Sequence, residues 1–148
     1  MPRSTRSFLF PDINVRIALT YRRHSHYESA KAWLDSVSDD SELCFCRFTQ
    51  LGLLRLLTTS AVMGTQVRTQ TEAWEIYDDW LKNGHAIFVE EPPSIDLTFR
   101  ALSRSRQAAP KDWADSYLSA FAQASAFCLV TFDQTLGRKT VGSLLLTI

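Results

Sequence analysis

The stretch Phe8-Leu9-Phe10-Pro11-Asp12 decides the fold. A short apolar run closed by a proline is typical of a buried strand, because it is too short to form a helix. The residues that follow, 13–21, carry apolar side chains at helical spacing. The stretch therefore predicts a strand that leads directly into a helix, with Asp12 at the junction.

The remainder of the chain repeats this alternation of strands and helices. Strands are predicted at 43–46, 86–89, 127–131 and 144–148, and helices at 25–36, 48–58, 69–81, 94–105 and 112–125. Strands that alternate with helices form right-handed crossover units, so we expect an α/β fold with a mainly parallel sheet covered by helices on both faces. Neither a linker nor an internal repeat divides the chain, which predicts one domain over residues 1–148.

Two of these helices bear on the core. The helix at 48–58 has leucines on most of its sides, which predicts deep burial, and Thr49 is its expected N-cap. The helix at 69–81 carries Trp74, Tyr77 and Trp80. We interpret these rings as part of the core rather than as a platform on which nucleic-acid bases stack.

Composition excludes some classes of protein. The chain has 16 basic and 16 acidic residues, which argues against a protein held to nucleic acid mainly by bulk charge but leaves a local basic strip open. Cys44, Cys46 and Cys128 lie in apolar runs typical of buried strands. With an odd cysteine count, no signal peptide and no long apolar span, we expect a cytoplasmic protein that does not enter a membrane.

Three aspartates stand where a functional site would form. Asp12 and Asp133 each follow an apolar strand, and functional residues of parallel sheets gather beyond the carboxyl ends of strands. Asp115 falls in the first turn of the helix at 112–125. Each aspartate also has an ordinary explanation, as a helix cap, a partner of the helix dipole or a turn residue. Spacing alone leaves open whether the three side chains meet.

Four segments resemble, in order and separation, the motifs of PIN domains. They are LFPDINV at 9–15, TQLGLLRLLT at 49–58, WADSYLSAFA at 113–122 and LVTFD at 129–133. The resemblance covers almost the whole chain. Within the family, the chain is similar to the VapC-type toxins of bacterial toxin–antitoxin pairs. It implies a three-layer α/β/α fold and a metal-dependent ribonuclease that hydrolyses RNA phosphodiester bonds.

The resemblance also assigns roles to residues of the site. Asp12, Asp115 and Asp133 fall on the metal-binding carboxylates, and Asn14 and Thr131 on the polar residues that support them. Mg²⁺ or Mn²⁺ is the implied cofactor, since both are hard ions that take oxygen ligands. Two carboxylates about 4 Å apart repel by roughly 4 kcal/mol at an effective dielectric near 20. We therefore expect a divalent cation to stabilise the fold.

Gln50 is the one departure from the family pattern, which often has an acidic residue at this position of the second motif. The change removes one charge and one strong metal ligand, although the carbonyl oxygen of Gln50 could still face the metal or a water bound to it. A weaker site that holds one ion is the natural inference. A degenerate PIN domain that acts as a non-catalytic binding module remains an alternative.

Substrate RNA needs cations at the rim of such a site. The candidates for phosphate contacts are Arg16, Arg22, Arg23, Arg138 and Lys139. Arg55 is interpreted instead as a buried partner of a carboxylate or as a contact for an antitoxin. His24 and His26 are interpreted as a helix-entry loop, because no third ligand accompanies them.

The family resemblance implies two protein partners. One is a small VapB-like antitoxin whose tail enters the active-site groove, and the other is a second copy of the chain in a homodimer. An RNA-processing PIN nuclease without an antitoxin is a further alternative. The sequence does not reveal which RNA is cut.

Overall fold

The structure is a computed structural model, and it describes residues 7–148. Its sheet contains five strands, which are β1 (Phe8–Pro11), β2 (Glu42–Phe45), β3 (Ala86–Phe88), β4 (Cys128–Thr131) and β5 (Leu144–Leu145). The strands lie in the order β3-β2-β1-β4-β5, and every neighbouring pair is parallel. The predicted α/β fold with a mainly parallel sheet is confirmed.

Helices fill the connections between the strands. Within residues 7–148 the α-helices are α1 (Ile13–Thr20), α2 (Tyr27–Ser36), α3 (Arg47–Leu57), α4 (Ser60–Met63), α5 (Gln70–Asn83), α6 (Ile95–Ser103), α7 (Asp112–Ser125) and α8 (Gln134–Lys139). The sequence does not predict α4 and α8, because helices of four and six residues are too short to show a period. No helix in this part of the chain has the length and hydropathy needed to cross a membrane.

Successive side chains of each strand point to opposite faces of the sheet. Helices cover both faces because each face carries apolar side chains. Leu9 and Phe45 belong to one buried cluster, while the adjacent Phe10 and Cys44 belong to another. Leu53 of α3 and Tyr77 of α5 pack in the first cluster, and Phe121 of α7 packs in the second. The expected burial of Cys44 and Cys46 is confirmed, whereas Cys128 is partly exposed.

The strand order places a crevice between β1 and β4. The chain proceeds from β1 outward to β2 and β3, and then returns to lay β4 on the other side of β1. In the register of these two strands Pro11 lies opposite Val130, and the backbone N–H of Asp12 donates to the carbonyl of Val130 at 3.0 Å. Residues that follow β1 and β4 therefore meet at a point where the strand order reverses, which is the usual location of a site in this architecture.

Four details of the helices differ from the predictions. The helix α3 is not deeply buried all round, since Leu51 is 61% exposed and Arg55 is exposed rather than buried. Its N-cap residue is Cys46, and the hydroxyl of Thr49 accepts a hydrogen bond from the Cys46 N–H at 3.0 Å. Of the three aromatic rings of α5, Tyr77 is buried, whereas Trp74 lies half-exposed. Apolar residues around a whole helix predict contact on all sides, but a helix in an outer layer contacts the sheet on one side only.

The helices α1 and α3 pack closely at Gly52. A Cβ atom at this position would lie 2.3 Å from Cδ1 and 2.6 Å from Cγ1 of Ile13. We expect Gly52→Ala to lower the free energy of unfolding by about 1–3 kcal/mol, because an overpacked side chain must shift. Urea unfolding measures this change. Gly137→Ala is the matched control, since its Cβ would meet its nearest neighbours at 3.7 Å, and equal stability of the two variants would contradict the prediction.

Candidate active site

Asp12 caps α1 and also faces the crevice between β1 and β4. Its Oδ1 accepts a hydrogen bond from the backbone N–H of Val15 at 3.0 Å, and its Oδ2 accepts one from the hydroxyl of Thr131 at 2.5 Å. The residue is buried. The ordinary explanation of Asp12 as a helix cap is therefore correct, but the cap occupies only one of its two oxygens.

Thr131 connects Asp12 to Asp133. While its hydroxyl donates to Asp12, the same oxygen accepts a hydrogen bond from the backbone N–H of Asp133 at 3.0 Å. Thr131 is the last residue of β4 and is fully buried, so its bond to Asp12 lies in the interior, while its bond to Asp133 is partly buried. The supporting role assigned to Thr131 agrees with this arrangement. The side chain of Asn14, by contrast, is exposed, and Asn14 reaches Asp12 through a backbone hydrogen bond.

Replacing Thr131 tests this connection. Thr131→Val keeps the shape of the side chain but leaves the Asp133 N–H and one oxygen of Asp12 without their hydrogen-bond partner. A buried polar group left unpaired costs about 1–3 kcal/mol, so we expect the free energy of unfolding to fall by about that amount. Urea unfolding at neutral pH measures it. Thr131→Ser retains the hydroxyl and serves as the control. If the valine variant were as stable as the serine variant, the hydrogen bonds of Thr131 would not contribute to stability.

Asp133 begins α8. Its Oδ1 accepts hydrogen bonds from the backbone N–H groups of Thr135 at 2.8 Å and Leu136 at 3.2 Å. Its Oδ2 has no hydrogen bond from any described residue, and the side chain is exposed. The interpretation of this position as a plain turn is wrong. Asp133 is a helix cap with one oxygen available to a ligand.

Asp115 lies in the first turn of α7, as its sequence position predicts. Its carboxylate is partly buried and has no hydrogen-bond partner in the described part of the chain. Burial raises the pKa of Asp115 above its ordinary value, the charge on Asp133 raises it further, and the ammonium of Lys139 opposes both. Asp115, Asp133 and Lys139 therefore lie within electrostatic reach of one another.

The charge on Asp133 also affects the pKa of Asp12. Burial raises the pKa of Asp12, and the charge on Asp133 adds to this effect, while the hydrogen bonds from Thr131 and from the backbone of Val15 and Asn14 oppose it. Asp133 is thus the carboxylate whose charge reaches both of the others, and we call Asp12, Asp133 and Asp115 the row of aspartates. Asp12 and Asp133 lie just beyond the carboxyl ends of β1 and β4, and Asp115 lies within reach of the charge on Asp133.

The row of aspartates does not form a closed cage. Within residues 7–148, no group of three or more His, Cys, Asp or Glu side chains lies close enough together to hold a metal ion. The donors still suit Mg²⁺ or Mn²⁺, because they are carboxylate oxygens and Mg²⁺ is commonly held by one or two carboxylates together with water and substrate phosphate. Asp115 and Asp133 have oxygens free for this purpose, and burial, reinforced by the charge on Asp133, raises the pKa of both Asp12 and Asp115.

The side chain of Gln50 is bonded to a residue of its own helix. It is buried, and its Oε1 accepts a hydrogen bond from Arg47 at 2.6 Å. The guanidinium of Arg47 lies over the ring of Phe88, 4.7 Å from its centroid. The carbonyl oxygen, which the sequence left able to face a metal or a water bound to it, is thus bonded to Arg47.

Arg16 was proposed as a phosphate contact, and the structure contradicts this role. The residue is only 1% exposed. Its guanidinium donates to the backbone carbonyl of Cys44 and lies over the ring of Phe45, 3.6 Å from the centroid. Burial lowers the pKa of Arg16 to about 9. A side chain fixed inside the α1 layer cannot contact RNA, so Arg16 is a structural residue.

The other four cations divide into two pairs. Arg22 and Arg23 are exposed but follow the last turn of α1, roughly 12 Å along the helix from Asp12 at 1.5 Å per residue. They line a cavity that also contains Leu57 and Met63, away from the acidic row. Arg138 and Lys139 lie in the last turn of α8, and the hydroxyl of Ser119 donates to the carbonyl of Lys139 at 3.2 Å. The structure therefore brings Lys139, and not Arg22 or Arg23, beside the aspartates.

A basic loop escaped the sequence predictions. Residues 104–111 connect α6 to α7 and carry Arg104, Arg106 and Lys111 without an acidic residue. All three cations are exposed. The sign of the charges is visible in the sequence, but only the fold shows that this loop ends one helical turn before Asp115. The histidines behave as predicted: the backbone N–H of His26 donates to Nδ1 of His24 at 3.0 Å in the loop that enters α2.

Comparisons with known proteins agree with this geometry. The family model described as PIN domain matches residues 9–141. Ribonuclease VapC41 of Mycobacterium tuberculosis is 38% identical over 129 residues, which cover 84% of this chain and 88% of that protein. Two solved structures share the fold with a TM-score of 0.64 each. The first is VapBC2 of Rickettsia felis bound to a DNA fragment from its promoter; it is 10% identical, and the match covers 93% of this chain and 96% of that chain. The second is VapC20 of Mycobacterium tuberculosis, a toxin that cleaves the sarcin–ricin loop; it is 11% identical, and the match covers 92% of this chain and 98% of that chain.

Proposed function

The chain belongs to the PIN domain family, among its VapC ribonucleases, and we propose that it is a divalent-metal-dependent endoribonuclease that acts as the toxin of a toxin–antitoxin pair. One observation supports the proposal most strongly. A single buried hydroxyl, that of Thr131, connects Asp12 to Asp133 at the point where the strand order reverses. Asp115 lies in the electrostatic field of the same Asp133.

Asp115 and Asp133 would hold the cation through their free oxygens. Asp12 would add negative charge from the interior, where two hydrogen bonds fix its orientation. When bound, a divalent cation neutralises the charge that develops on the phosphate and promotes the ionisation of water. The protein's own part is to orient the carboxylates, and the hydrogen bonds from Thr131 and from the backbone of Val15 favour the ionised form of Asp12 against its burial.

Lys139 would orient the substrate phosphate. Its ammonium acts on Asp115, and its backbone carbonyl is held by Ser119 of α7. A phosphodiester drawn toward Lys139 therefore lies beside the carboxylates that would bind the metal. Arg138, which is exposed on the same turn of α8, would contact a neighbouring phosphate of the RNA.

The proposal includes two protein partners. A VapB-like antitoxin would cover the acidic row, and a second copy of the chain would form a homodimer. Exposed apolar side chains supply surface for such contacts, with Leu51 on α3 and Leu97 on α6 both largely exposed. The fold that this chain shares with VapBC2 of Rickettsia felis supports the proposal of an antitoxin partner.

Cleavage of RNA in the presence and absence of metal tests the proposal. Purified protein is incubated with structured RNA in Mg²⁺, in Mn²⁺ and in EDTA, and the cut ends are mapped. We expect cleavage with either ion and none with EDTA. Cleavage that persists in EDTA would contradict metal dependence. Absence of cleavage with every ion, together with retained binding of an antitoxin, would favour the non-catalytic module, for which the bond between Gln50 and Arg47 is the supporting observation.

Expression in cells separates the toxin from an RNA-processing nuclease. We expect induction of the chain to arrest growth and expression of the antitoxin encoded beside it to restore growth. A protein that cuts RNA in vitro but leaves growth unchanged would instead belong to RNA processing.

A further inference from the structure

A cavity of about 650 Å³ lies beside α7, outside the row of aspartates. Residues of four elements line it: the end of α6, the basic loop 104–111, the first turns of α7 and the last turn of α8. The lining residues that matter here are Arg104, Gln107, Trp113, Ser116 and Lys139. None of the first four is among the substrate contacts proposed above.

The cavity adjoins the site where cleavage is proposed. Lys139 lines the cavity, and its ammonium also acts on Asp115. Ser116 lines it as well and follows Asp115 directly in α7. A group bound in the cavity would therefore lie next to a phosphate held at Asp115.

Trp113 offers this cavity an aromatic surface. Its side chain is 58% exposed, which is unusual for a ring of this size in a folded domain. The ring of Phe99 on α6 contacts it edge to face, with centroids 6.1 Å apart. This contact fixes the tryptophan while leaving much of it open. Exposed aromatic rings in proteins that bind single-stranded RNA stack on bases of any sequence.

Ser116 adds an unpaired polar group at the floor of the cavity. It is fully buried, and its hydroxyl has no hydrogen-bond partner among residues 7–148. Buried hydroxyls nearly always have a partner in native proteins, so an unpaired one calls for an explanation. The edge of a nucleobase carries both hydrogen-bond donors and acceptors and can satisfy a hydroxyl in either role.

The charge around the cavity fits the backbone of a nucleic acid. Arg104 lines the cavity together with the carboxylate of Asp112, and the adjoining loop 104–111 contains three cations and no acidic residue. Lys139 supplies a further cation on the opposite side, toward Asp115. Arginine and lysine at the rim of a pocket contact phosphate and fix the register of the strand.

We propose that this cavity binds one nucleotide of a single-stranded RNA segment, adjacent to the phosphodiester that is cut. The base stacks on Trp113, the hydroxyl of Ser116 contacts its edge, and Arg104 contacts the flanking phosphate. The inference rests on the proposed ribonuclease function and adds to it a residue set that selects the cleavage position.

Binding of a short RNA tests the stacking residue. A fluorescein-labelled single-stranded RNA of mixed sequence is titrated into Asp115→Asn protein, which is expected to bind without cutting, and fluorescence anisotropy is recorded. We expect Trp113→Ala in this background to weaken the affinity about tenfold, within the range known for a base stacked on an aromatic ring. Trp74→Ala is the matched control, because Trp74 is also half-exposed but lies on α5; we expect its affinity to stay within about twofold.

Ser116→Ala tests the polar contact. A purely structural role predicts unchanged or higher thermal stability and an unchanged pattern of cut ends, because the hydroxyl has no partner to lose. We expect the same stability but a broader base preference on one side of the cut, mapped by sequencing the products. An unchanged pattern, with Trp113→Ala binding RNA as well as Trp74→Ala, would overturn the inference.

The failures of the inference and of the ribonuclease proposal are distinguishable. If wild-type protein cuts no RNA and the Asp115→Asn variant binds none, the proposed function fails. If RNA is cut and bound but the two tryptophan variants behave alike, only the assignment of the cavity fails. A loss of affinity for the antitoxin but not for RNA in Trp113→Ala would assign the cavity to the antitoxin and likewise overturn the inference.

Discussion

Asp115→Asn is expected to lower the rate of RNA cleavage by about 10³-fold while leaving the fold intact. The carboxylate lies where a divalent cation and the substrate phosphate would meet, and asparagine removes its charge. Loss of a few kcal/mol of charge stabilisation in the transition state corresponds to this factor, since about 1.4 kcal/mol is tenfold in rate. Single-turnover cleavage of a labelled RNA measures the effect.

The fold should survive this substitution for a reason visible in the structure. Asp115 makes no hydrogen bond with any described residue, so asparagine leaves no partner unpaired. Burial and the charge on Asp133 raise the pKa of Asp115, which means that the folded protein disfavours the ionised form of this side chain. A neutral side chain of the same shape should therefore leave the melting temperature unchanged or slightly higher.

Asp78→Asn is the control for Asp115→Asn. Asp78 is exposed on α5, outside the acidic row, and its replacement changes the net charge by the same amount. We expect cleavage by this variant to stay within about twofold of wild type. A cleavage rate in Asp115→Asn within tenfold of the wild type would remove Asp115 from the catalytic residues. In cells, growth arrest should persist with Asp78→Asn and disappear with Asp115→Asn.

The sequence predicts the frame of this protein well, because the frame depends on short apolar runs. The strands at 8–10, 43–46 and 127–131 appear within one or two residues of the predicted positions, and the helix at 112–125 has the predicted bounds. Asp12 and Asp133 follow their strands, so the position of the site at the carboxyl edge was predictable from the order of strands alone.

The contacts within the site were not predictable in the same way. Arg16 looks from the sequence like a surface cation one turn after Asp12, yet the same face of α1 turns its guanidinium toward Phe45 and the carbonyl of Cys44. The cap that Asp133 provides to α8 depends on a helix too short to show a period. Gln50 pairs with Arg47 three residues earlier in the chain, but only the folded helix shows that its oxygen is taken.

Lys139 and the loop 104–111 illustrate a second limit. Both were visible as cations in the sequence, and Lys139 was proposed for phosphate on the ground that it follows Asp133. The structure brings Lys139 to Asp115 instead, through the packing of α8 on α7. A pairing of residues 24 positions apart depends on how two helices pack, which neither composition nor spacing determines.

Asp12→Asn is expected to abolish the stabilisation of the protein by Mg²⁺. Burial, reinforced by the charge on Asp133, raises the pKa of Asp12 in the folded protein. The folded state therefore binds a proton here more readily than the unfolded chain does. Stability from this group is fully present below the unfolded pKa near 4 and is lost as the pH rises through the higher folded pKa. At neutral pH the ionised Asp12 destabilises the metal-free protein.

A cation near the row of aspartates reverses this effect. With about 10 mM Mg²⁺ and a dissociation constant of about 1 mM, binding to the folded state adds about 1.4 kcal/mol. For a chain of this size that corresponds to a rise in melting temperature of about 3–6 °C at pH 7. Asp12→Asn should show no rise in melting temperature with Mg²⁺. Near pH 4 the rise in the wild type should disappear, because protons then compete with the metal for the carboxylates.

Thermal melts at matched ionic strength separate this effect from general screening by salt. The reference contains NaCl in place of MgCl₂, and Asp78→Asn should show the same Mg²⁺-dependent rise as the wild type. An equal rise in Asp12→Asn would mean that the ion binds elsewhere. The wild type could instead respond to Mn²⁺ but not to Mg²⁺ at pH 7. This result would identify Mn²⁺ as the preferred ion, since both ions take oxygen ligands.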